Sequence, residues 1–325
     1  MNTILVVGAA GYIGSHTLRD LKERKYNTVA LDNLSEGHLE ALCGGVLENI
    51  DLADTEGLNN IFKKYNIDAV MHFAAYAYVG ESVINPRKYY QNNVLCTFNL
   101  LNAMLENNVH NIVFSSTCAI YGNPVYTPID EKHPQSPVNP YGNTKYIIEK
   151  MLADYKKAYG LKYIALRYFN AAGARESAEI GESHNTETHL IPLVLQTLTG
   201  KKQCIDIFGD DYDTPDGTCI RDYIHVNDLA DAHRLAVEHL MNNKGSEVIN
   251  LGTGKGHSVK EIISVCESVA GKRAPYKVTA RREGDPASLV ASNCVARDLL
   301  GWEPKYTDIK DIIRTAWNWE RNRKY

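Results

Sequence analysis

The amino-acid sequence predicts an α/β fold, in which a doubly wound parallel sheet is followed by a smaller C-terminal α/β domain. Two observations carry this prediction. Short apolar runs alternate with amphipathic helical patterns through the first half of the chain, and a glycine-rich turn directly follows the first apolar run. Apolar strands separated by helices are typical of a parallel sheet covered on both faces, as in the Rossmann arrangement. The length of 325 residues corresponds to about two domains.

The first half of the chain alternates five apolar runs with four helical patterns. The predicted strands are 4–7, 28–31, 69–73, 111–115 and 163–167. The predicted helices are 12–24, 55–65, 89–107 and 141–159. Each strand is four or five residues long and each helix covers at least three turns, which is typical of successive βαβ units.

The second half of the chain is less regular. The polar segment 171–188 predicts a long loop, and long loops in compact domains are often functional. The predicted helices that follow are 189–199, 226–242, 258–270 and 308–321, with strands near 205–208 and 247–250. We therefore predict a first domain over residues 1–175, to which some later segments return, and a second domain mainly over 176–325.

Composition limits the possible partners and the compartment. Lys and Arg total 35 against 39 Asp and Glu, so the formal net charge is −4 and no net cationic field attracts nucleic acid or an anionic membrane. The apolar run at 4–7 is too short for a signal peptide or a membrane span. The seven cysteines are scattered without a CxxC pair, which favours reduced thiols in a cytoplasmic protein. The eleven histidines include no HExxH motif, so we predict no metal site.

The turn Gly8-Ala-Ala-Gly11-Tyr-Ile-Gly14 follows the first strand and begins the first helix. In this arrangement Gly8 permits a tight turn, Gly11 lets the backbone approach a pyrophosphate, and Gly14 lets the helix pack on the strand. The helix N-terminus offers unpaired N–H groups to the phosphates. The spacing is GxxGxxG rather than the commoner GxGxxG, and a simple glycine-rich turn is the alternative interpretation.

An acidic residue after the second strand completes the dinucleotide pattern. Asp32 lies 18 residues after Gly14, where a carboxylate accepts hydrogen bonds from a ribose diol and repels a 2′-phosphate. Its neighbour is Asn33 rather than an arginine, so NAD is favoured over NADP. Asp51 follows a later apolar stretch and either contacts the adenine amino group or is an exposed acid at a strand end.

Tyr141 and Lys145 have the spacing YxxxK. On a helix this spacing places the ammonium group near the phenol, and an adjacent cation favours the phenolate form. That is the tuning a tyrosine needs for acid–base work near neutral pH. The strand before this helix ends in Ser115-Ser116-Thr117, so the Thr117 hydroxyl is predicted at the same sheet edge. A YxxxK sequence is common by chance, so the predicted site rests on its position after the strand that ends in Thr117.

The sequence resembles the extended short-chain dehydrogenase/reductase family over nearly its whole length, and in particular the branch that inverts carbon 4 of UDP-hexoses. The glycine turn and YxxxK are shared by the whole family. Further matching segments are FAAYAYVGES (73–82), SSTCAIYG (115–122), RYFNAAGA (167–174), FGDDYDTPDGTCIRDYIHVNDLA (208–230), NLGTGKGHS (250–258) and RREGDPA (281–287). Of these, FGDDYDTPDG with RDYIHV, and RREGD, are far more specific to that branch.

The resemblance implies an isomerase that interconverts UDP-galactose and UDP-glucose with NAD as cofactor. It implies that Tyr141 takes the proton of the sugar 4′-hydroxyl, that Lys145 holds the nicotinamide ribose, and that Thr117 supplies the hydroxyl for which the family usually has serine. Hydride passes to bound NAD, the resulting 4-keto sugar rotates, and hydride returns to its other face. The domain 1–175 then binds NAD and the domain 176–325 mainly binds the UDP-sugar.

The resemblance also assigns contact residues. The cofactor positions are Gly8, Gly11, Tyr12, Ile13, Gly14, Asp32, Asn33, Asp51, Leu52, Phe73, Ala74, Ala75, Ala77, Asn92, Ser115, Tyr141, Lys145 and Tyr168. The substrate positions are Thr117, Tyr141, Phe169, Asn170, His189, Leu190, Ile207, Phe208, Arg221, Arg282, Asp285 and Leu289. Alternatives stay open for three of them: an Arg221–Asp222 ion pair, a solvated Arg281–Arg282 pair, and His189 as a helix-start residue.

Three positions depart from the family pattern. Ala77 replaces a frequent lysine and so removes a cation near the cofactor, and His189 stands where the family commonly has asparagine. Leu289 occupies the position that limits the size of the sugar 2′-substituent. Because leucine is intermediate in size, we expect UDP-glucose and UDP-galactose as the main substrates, with UDP-N-acetylglucosamine and UDP-N-acetylgalactosamine left open.

Other activities on the same scaffold fit the sequence less well. Dehydratases and decarboxylases carry a carboxylate beside the hydroxyl residue, whereas this chain has Thr117-Cys118-Ala119. A simple dehydrogenase remains possible, although the two arginines favour a nucleotide sugar. A sensor that binds NAD without turnover would not need both Tyr141 and Lys145. By family analogy we expect a cytoplasmic homodimer that pairs the 89–107 and 144–159 helices.

Overall fold

A seven-stranded sheet organises the first part of the chain. The computed structural model describes residues 2–42, 44–282 and 284–325. The elements up to the sixth strand are β1 Thr3–Val7, α1 Tyr12–Glu23, β2 Asn27–Leu31, β3 Val46–Glu48, α2 Thr55–Lys64, β4 Ala69–His72, α3 Val79–Ile84, α4 Pro86–Tyr89, α5 Cys96–Glu106, β5 Asn111–Thr117, α6 Pro140–Tyr159 and β6 Lys162–Tyr168.

The remaining elements follow with shorter strands. They are β7 Asn170–Ala172, α7 Leu190–Leu198, β8 Ile205–Phe208, β9 Ile220–His225, α8 Val226–Met241, β10 Glu247–Leu251, β11 Gly256–Ser258, α9 Val259–Ala270, β12 Tyr276–Thr279, β13 Ser288–Leu289, α10 Cys294–Leu300 and α11 Ile309–Asn322. None of the described helices is both long and apolar enough to cross a membrane.

The large sheet has the strand order β10-β6-β5-β4-β1-β2-β3. The pairings of β1 with β2 and β4, of β2 with β3 and of β4 with β5 are all parallel. Fully buried residues such as Leu5, Val70 and Ile112 form its core together with Leu100 of α5 and Leu152 of α6. This order, with the helices alternating along the chain, is the doubly wound arrangement that the sequence predicts.

The chain forms two compact units, and each is interrupted in sequence. The first comprises the described parts of Met1–Gly122, Gln135–Arg167 and Ala230–Ile249. The second comprises the described parts of Asn123–Pro134, Tyr168–Leu229 and Asn250–Tyr325. The break therefore falls after Arg167 rather than at residue 175, because the strand that follows, β7, pairs with β9 in a different sheet.

The second unit contains two small sheets. In the larger one, β9 is flanked by β11, which runs antiparallel, and by β13 and β7, which run parallel to it. The other pairs β12 with β8 in parallel. The core of the second unit includes buried residues from α7, α9 and α11, among them Leu195, Ile262 and Ile312. The strand β9 carries polar residues at Arg221 and Asp222, which explains why an apolar-run analysis does not detect it.

The predicted helix 89–107 is wrong in one respect, since it is not continuous. It comprises the end of α4, a π-helical turn over Tyr90–Leu95, and α5. The buried Asn93 lies in the π turn and its side chain bonds outside the helix, to Tyr76 and Thr144. A π turn widens the helix locally and is frequent at functional sites. Hydrophobic periodicity carries no signal for such a turn.

The cysteines show no cross-link in the part of the chain that the structure describes. Cys96, Cys118, Cys204, Cys219, Cys266 and Cys294 are free thiols there. Cys43 lies outside the described residues. Burial raises the pKa of the Cys96 thiol to about 11, so this thiol stays protonated near neutral pH and acts as a small apolar side chain.

Candidate active site

The carboxyl ends of four strands of the large sheet meet at one level. In the strand register Val7 lies opposite both Leu31 and His72, and His72 lies opposite Phe114. The next residues along the chain are therefore Gly8, Asp32, Phe73 and Ser115, at one edge of the sheet. Ligands of doubly wound sheets bind at this edge. All four are positions that the sequence analysis selected.

The glycine turn shows why two of its three glycines are needed by the fold. Gly8 has a φ of +81°, and a Cβ there would lie 2.5 Å from the backbone nitrogen of Ala74. A Cβ on Gly14 would lie 2.1 Å from the carbonyl oxygen of Gly8. Both distances are far below van der Waals contact, so the turn and the packing of α1 against it require glycine. The roles predicted for Gly8 and Gly14 agree with this geometry.

Gly11 is different, because the protein itself leaves room for a side chain there. The nearest atom to a Cβ on Gly11 would be the Gly8 carbonyl oxygen, at an ordinary 3.5 Å. Its φ of −76° and ψ of 173° are accessible to any residue. Gly11 is the N-cap of α1 and no side chain caps that end. An open, uncapped helix N-terminus next to a residue without a side chain fits a bound pyrophosphate.

Asp32 is buried and both of its oxygens accept backbone hydrogen bonds. Oδ2 accepts from the Ala10 N–H and Oδ1 from the Leu34 N–H, each at 2.8 Å. Burial raises the pKa of this carboxyl, and the two hydrogen bonds oppose that effect. Asp32 therefore fixes the turn as well as facing the sheet edge, and carboxylate oxygens have further lone pairs for a ribose diol.

Asn33 and Asp51 form a hydrogen-bonded pair beside Asp32. The Asn33 amide donates to Asp51 Oδ2 at 2.6 Å, and the Ala53 N–H donates to Asp51 Oδ1 at 2.8 Å. Asp51 is exposed, as expected for a strand-end acid, while its link to Asn33 places both predicted cofactor positions together. Leu52, the next predicted position, is buried in the core of the first unit.

Tyr141 and Lys145 lie in the first two turns of α6, and both side chains are buried. The helix begins at Pro140, and the Asn139 side chain caps it by accepting from the Gly142 N–H. Lys145 Nζ donates to the Ser115 carbonyl at 2.9 Å and lies 4.8 Å from the centroid of the Phe114 ring. The YxxxK helix is thereby tied to the end of β5, as the sequence predicts.

Burial destabilises the charged form of the Lys145 side chain in this structure. It lowers the pKa of Lys145 to about 7, against a smaller opposite effect of Glu149. His72 lies at the end of β4, where burial and the positive charge of Lys145 lower its pKa to about 3. The imidazole of His72 is consequently neutral and is bonded to the Thr97 hydroxyl at 2.8 Å. Of these two groups, Lys145 is the one whose pKa lies near 7.

Thr117 ends β5 and caps the short 3-10 turn that follows it. Its hydroxyl oxygen accepts from the Ala119 N–H at 3.1 Å. The hydroxyl proton is not used in that bond, so Thr117 retains a donor. It is almost completely buried, as are Ser115 and Ser116.

A buried ionic network beneath these residues was missed by the sequence analysis. Glu149 accepts from Ser116 Oγ at 2.6 Å and from two nitrogens of Arg167, at 3.0 and 2.5 Å. Arg167 also donates to the Tyr121 hydroxyl at 2.9 Å. The network joins β5, α6 and β6, and its Glu149 lies one helical turn after Lys145. Sequence offers one signal for it, a carboxylate four residues after Lys145, which alone is too common to be interpreted.

Asn93 is a second residue that the sequence analysis missed. Its amide group accepts from the Tyr76 N–H, donates to the Tyr76 carbonyl and donates to Thr144 Oγ1, at 2.9, 3.0 and 3.1 Å. It therefore joins the loop after β4 to the helix that carries Lys145. The predicted cofactor residue Asn92 donates to Asn93 Oδ1 at 3.0 Å. In the same loop Ala77, where the family has a lysine, is exposed.

Four of the predicted substrate residues of the second unit lie on β9 or against it. Arg221 forms an ion pair with Asp285, and Leu289 of β13 lies opposite Arg221 in the strand register. The alternative of an Arg221–Asp222 ion pair is wrong, because Asp222 accepts instead from the N–H groups of Thr253 and Gly254 and from the Thr253 hydroxyl. Asn170 begins β7, opposite Tyr223 of the same strand β9.

The two adjacent arginines near the end of β12 have different partners. Arg282 stacks on the Phe208 ring at 3.8 Å, whereas Arg281 bonds Asp211 and lies over the Tyr212 ring. Each guanidinium thus has its own aromatic contact, but both residues are exposed, so the interpretation as a solvated basic pair stays open. Phe208 and Ile207 end β8, and Ile207 is buried.

The remaining predicted positions lie where their elements begin or end. Tyr12 and Ile13 start α1, Ala75 follows β4, Tyr168 ends β6, Phe169 precedes β7, and Leu190 starts α7. His189 is the N-cap of α7, so the helix-start interpretation is correct for its backbone, but its side chain makes no cap. That side chain joins Glu182, His184 and Glu187, a group that no motif in the sequence analysis identified.

Comparisons with known proteins identify the family of this chain. The model of the NAD dependent epimerase/dehydratase family matches residues 4–252. A UDP-glucose 4-epimerase of Halalkalibacterium halodurans is 54% identical over 98% of this chain and 95% of its own length. The structure of a Brucella ovis UDP-glucose 4-epimerase in complex with NAD matches with a TM-score of 0.96, at 51% identity and with 98% of each chain covered.

A third match concerns a relative that is named for two substrates. The UDP-Glc/GlcNAc 4-epimerase of Campylobacter jejuni has a TM-score of 0.87 and 41% identity, with 99% of this chain and 100% of that one covered. Family model, sequence relatives and solved structures all extend over most of the chain. The chain therefore belongs to the NAD dependent epimerase/dehydratase family, in the branch that holds the UDP-glucose 4-epimerases.

Proposed function

We propose that this chain interconverts UDP-galactose and UDP-glucose through a transient 4-keto sugar. The observation that carries the proposal is the position of Tyr141 and Lys145 on α6, tied by the Lys145–Ser115 hydrogen bond to the sheet edge where the glycine turn and Asp32 also lie. A phenol, an ammonium group and a hydroxyl at that edge suit proton transfer next to a dinucleotide.

The residues present fit NAD. Gly11 and the uncapped N-terminus of α1 would take the pyrophosphate, Asp32 the adenosine ribose, and Lys145 the nicotinamide ribose. When bound, NAD supplies the oxidant that accepts the hydrogen of sugar carbon 4 and later returns it. Since nothing is consumed over a complete cycle, the net reaction is an isomerisation.

The protein's own groups handle the proton and the diphosphate. Tyr141 takes the proton of the 4′-hydroxyl when the keto sugar forms and gives it back when the sugar is reduced, and Thr117 hydrogen-bonds the same oxygen. Arg221 and Arg282 bind the diphosphate, a role that suits planar guanidinium groups. Holding the diphosphate lets the keto sugar, once its 4′-oxygen leaves Tyr141 and Thr117, rotate about its link to the diphosphate and expose its other face.

A product assay without added reductant tests the proposal. Purified enzyme incubated with UDP-galactose is expected to accumulate UDP-glucose until the two reach equilibrium, with no net change in NADH absorbance. A simple dehydrogenase would instead produce NADH in proportion to the sugar oxidised and would form no epimer, and that result would refute the assignment.

We further propose that Leu289 limits the sugar 2′-substituent. Leu289 lies on β13 opposite Arg221 of β9, the residue proposed to bind the diphosphate. Leucine is smaller than an aromatic residue. Activity on UDP-N-acetylgalactosamine is therefore expected in addition to the main activity. Leu289→Tyr should abolish the N-acetyl activity and spare UDP-galactose turnover, measured side by side by product chromatography. Equal loss on both substrates would show that residue 289 does not act as a gate.

A further inference from the structure

Four side chains at the start of α7 converge on one point. Glu182, His184, Glu187 and His189 each offer a ligand atom, and these four atoms lie within 4.8 Å of one another. The sequence spacing is E-x-H-x-x-E-x-H; the first three residues lie in the segment 171–188 predicted as a loop, and His189 begins the helix predicted after it. Among the described residues this is the group of histidines, cysteines and acids that could hold a metal ion.

The distances within this cluster have the dimensions of a tetrahedral metal site. Nδ1 of His184 lies 3.5 Å from a Glu182 oxygen and 3.2 Å from a Glu187 oxygen, and Nδ1 of His189 lies 2.8 and 3.1 Å from oxygens of the same two residues. An ion bound tetrahedrally at 2.0–2.2 Å keeps its ligand atoms about 3.4 Å apart. Three of the four observed separations are shorter than that value and one slightly exceeds it, so a bound ion would move the ligand atoms a little apart.

Hydrogen bonds alone cannot account for all the close contacts between the imidazole nitrogens and the carboxylates of the cluster. Each Nδ1 faces both carboxylates, but an imidazole nitrogen carries one hydrogen and can donate it to one acceptor at a time. Two protonated rings would also repel each other, since their centroids are 5.3 Å apart. A divalent cation removes both problems, because it accepts a lone pair from every ligand and balances the two carboxylate charges with neutral rings.

The ligands are held in place from outside the cluster. The Trp319 indole donates to the Glu182 carbonyl at 2.8 Å, and the N–H groups of Thr188 and His189 donate to Glu187 Oε1 at 2.8 Å. The neighbouring Ser183 hydroxyl accepts from Arg323 at 2.6 Å. Contacts of this kind orient the side chains that bind the metal directly in metal sites. The Glu182 side chain is 6% exposed and that of His189 is 42% exposed, so an ion can enter beside His189.

We propose that Glu182, His184, Glu187 and His189 bind one Zn²⁺ ion that fixes the 176–189 loop to the beginning of α7. Two imidazole nitrogens with two carboxylates suit zinc rather than magnesium or calcium, which prefer oxygen ligands alone. Four protein ligands complete a tetrahedral shell, as in structural zinc sites, and leave no position for a reacting water. The role is therefore to stabilise the loop and to place His189, not to perform chemistry.

Metal analysis of the purified holoenzyme tests the proposal. The protein is dialysed against a chelator, and Zn²⁺ or Co²⁺ alone is added back. We expect about one ion bound per chain, the visible absorption bands of tetrahedral Co²⁺, and a Tm that rises by roughly 5 °C on saturation with Zn²⁺. His184→Gln and Glu187→Gln should abolish the absorption bands and the Tm rise. A glutamine at 187 can still accept from the Thr188 and His189 N–H groups, so that variant is expected to fold.

The matched control is His257→Gln. His257 also pairs with a glutamate, Glu261, at 2.7 Å in the same unit, but it has one carboxylate partner and lies outside the cluster. This variant should keep the metal, the cobalt spectrum and the Tm rise. The proposal is overturned if the wild-type protein binds no Zn²⁺ or Co²⁺ and its Tm does not respond, because the cluster is then an ion-paired network of protonated histidines. It is equally overturned if both cluster variants retain the metal.

Discussion

Tyr141 is the residue on which the proposed chemistry depends most directly. A free phenol is a weak base near neutral pH, and its usefulness here comes from the helix that places Lys145 one turn away and from the buried setting of both. Glu149 and Arg167 hold the Ser116 end of β5 below them. Proton transfer at this site therefore rests on a few side chains whose positions are fixed by a buried network.

Tyr141→Phe is expected to lower kcat by roughly 10²- to 10⁴-fold, because it removes only the group that transfers the proton. The protein should still retain NAD, measured by acid extraction and absorbance. Tyr146→Phe, on the same helix but outside the site, is the matched control and should turn over normally. Near-normal turnover of the Tyr141 variant would exclude the proposed role.

Lys145 predicts a pH dependence of stability. Its pKa is lowered from 10.5 to about 7 by burial, so between pH 7 and about 10 the unfolded chain holds a proton that the folded chain has lost. Stability of the nucleotide-free protein should therefore rise with pH across that window, with this group contributing a slope of at most about 1.4 kcal/mol per pH unit. Below pH 7 the lysine is charged in both states and its contribution is constant.

The measurement is chemical denaturation of the nucleotide-free protein at several pH values from 7 to 10, with Lys145→Met as the comparison. The variant lacks the titrating group, so its stability should change less with pH than that of the wild-type chain. Parallel curves for the two proteins would mean that Lys145 keeps its proton in the folded state across this range, so that burial does not lower its pKa.

At the level of elements, the glycine turn meets two requirements, close packing within the fold and room for a ligand. The sequence motif alone does not show which glycine meets which requirement. Gly14 is needed because α1 packs directly on the Gly8 carbonyl, whereas Gly11 faces space that the protein leaves open. The fold alone thus explains Gly8 and Gly14, and the ligand is the remaining explanation for Gly11. Substitution separates the two.

Gly14→Ala should destabilise the protein by about 3 kcal/mol, because its Cβ would lie 2.1 Å from the Gly8 oxygen. Gly11→Ala should fold with nearly unchanged stability yet lose NAD, with affinity reduced roughly tenfold or more. Thermal unfolding and the extracted NAD content are the two measurements. Gly80→Ala, which meets no atom within 4 Å, is the control for both. Full NAD content in the Gly11 variant would contradict the assignment.

At the level of the whole molecule, exposed apolar residues support the expectation of a homodimer. Leu95 at the end of the π turn and Phe98 in the first turn of α5 are 54% and 43% exposed. Both lie within 89–107, one of the two helices that family analogy places at the dimer contact. Burial against a second copy would remove these side chains from water.

Phe98→Glu should convert a dimer into a monomer, because it places a charge in an apolar contact. Light scattering after size-exclusion chromatography gives the mass directly. Val125→Glu, at a residue that is 72% exposed in the second unit, should leave the mass unchanged. An unchanged dimer in the Phe98 variant would exclude this helix from the interface.

The sequence by itself determined the parallel sheet, the dinucleotide turn, the acid after the second strand and the YxxxK helix. These features are local: each lies within one βαβ unit, where strand periodicity, glycine requirements and i to i+4 spacing act over a few residues. Hence the observed elements of the large sheet differ from the predicted ones mainly by a residue or two at their ends, while the short β3 was not detected.

Only the tertiary structure decided which distant side chains meet. The Glu149–Arg167 pair, the Arg221–Asp285 pair and the Asn93 links all depend on contacts whose energy comes from burial and charge in three dimensions. Such residues have no fixed spacing, so no motif records them. The polar strand β9 shows the same limit, since its pairing on both sides allows Arg221 and Asp222 to lie in a strand without an apolar run.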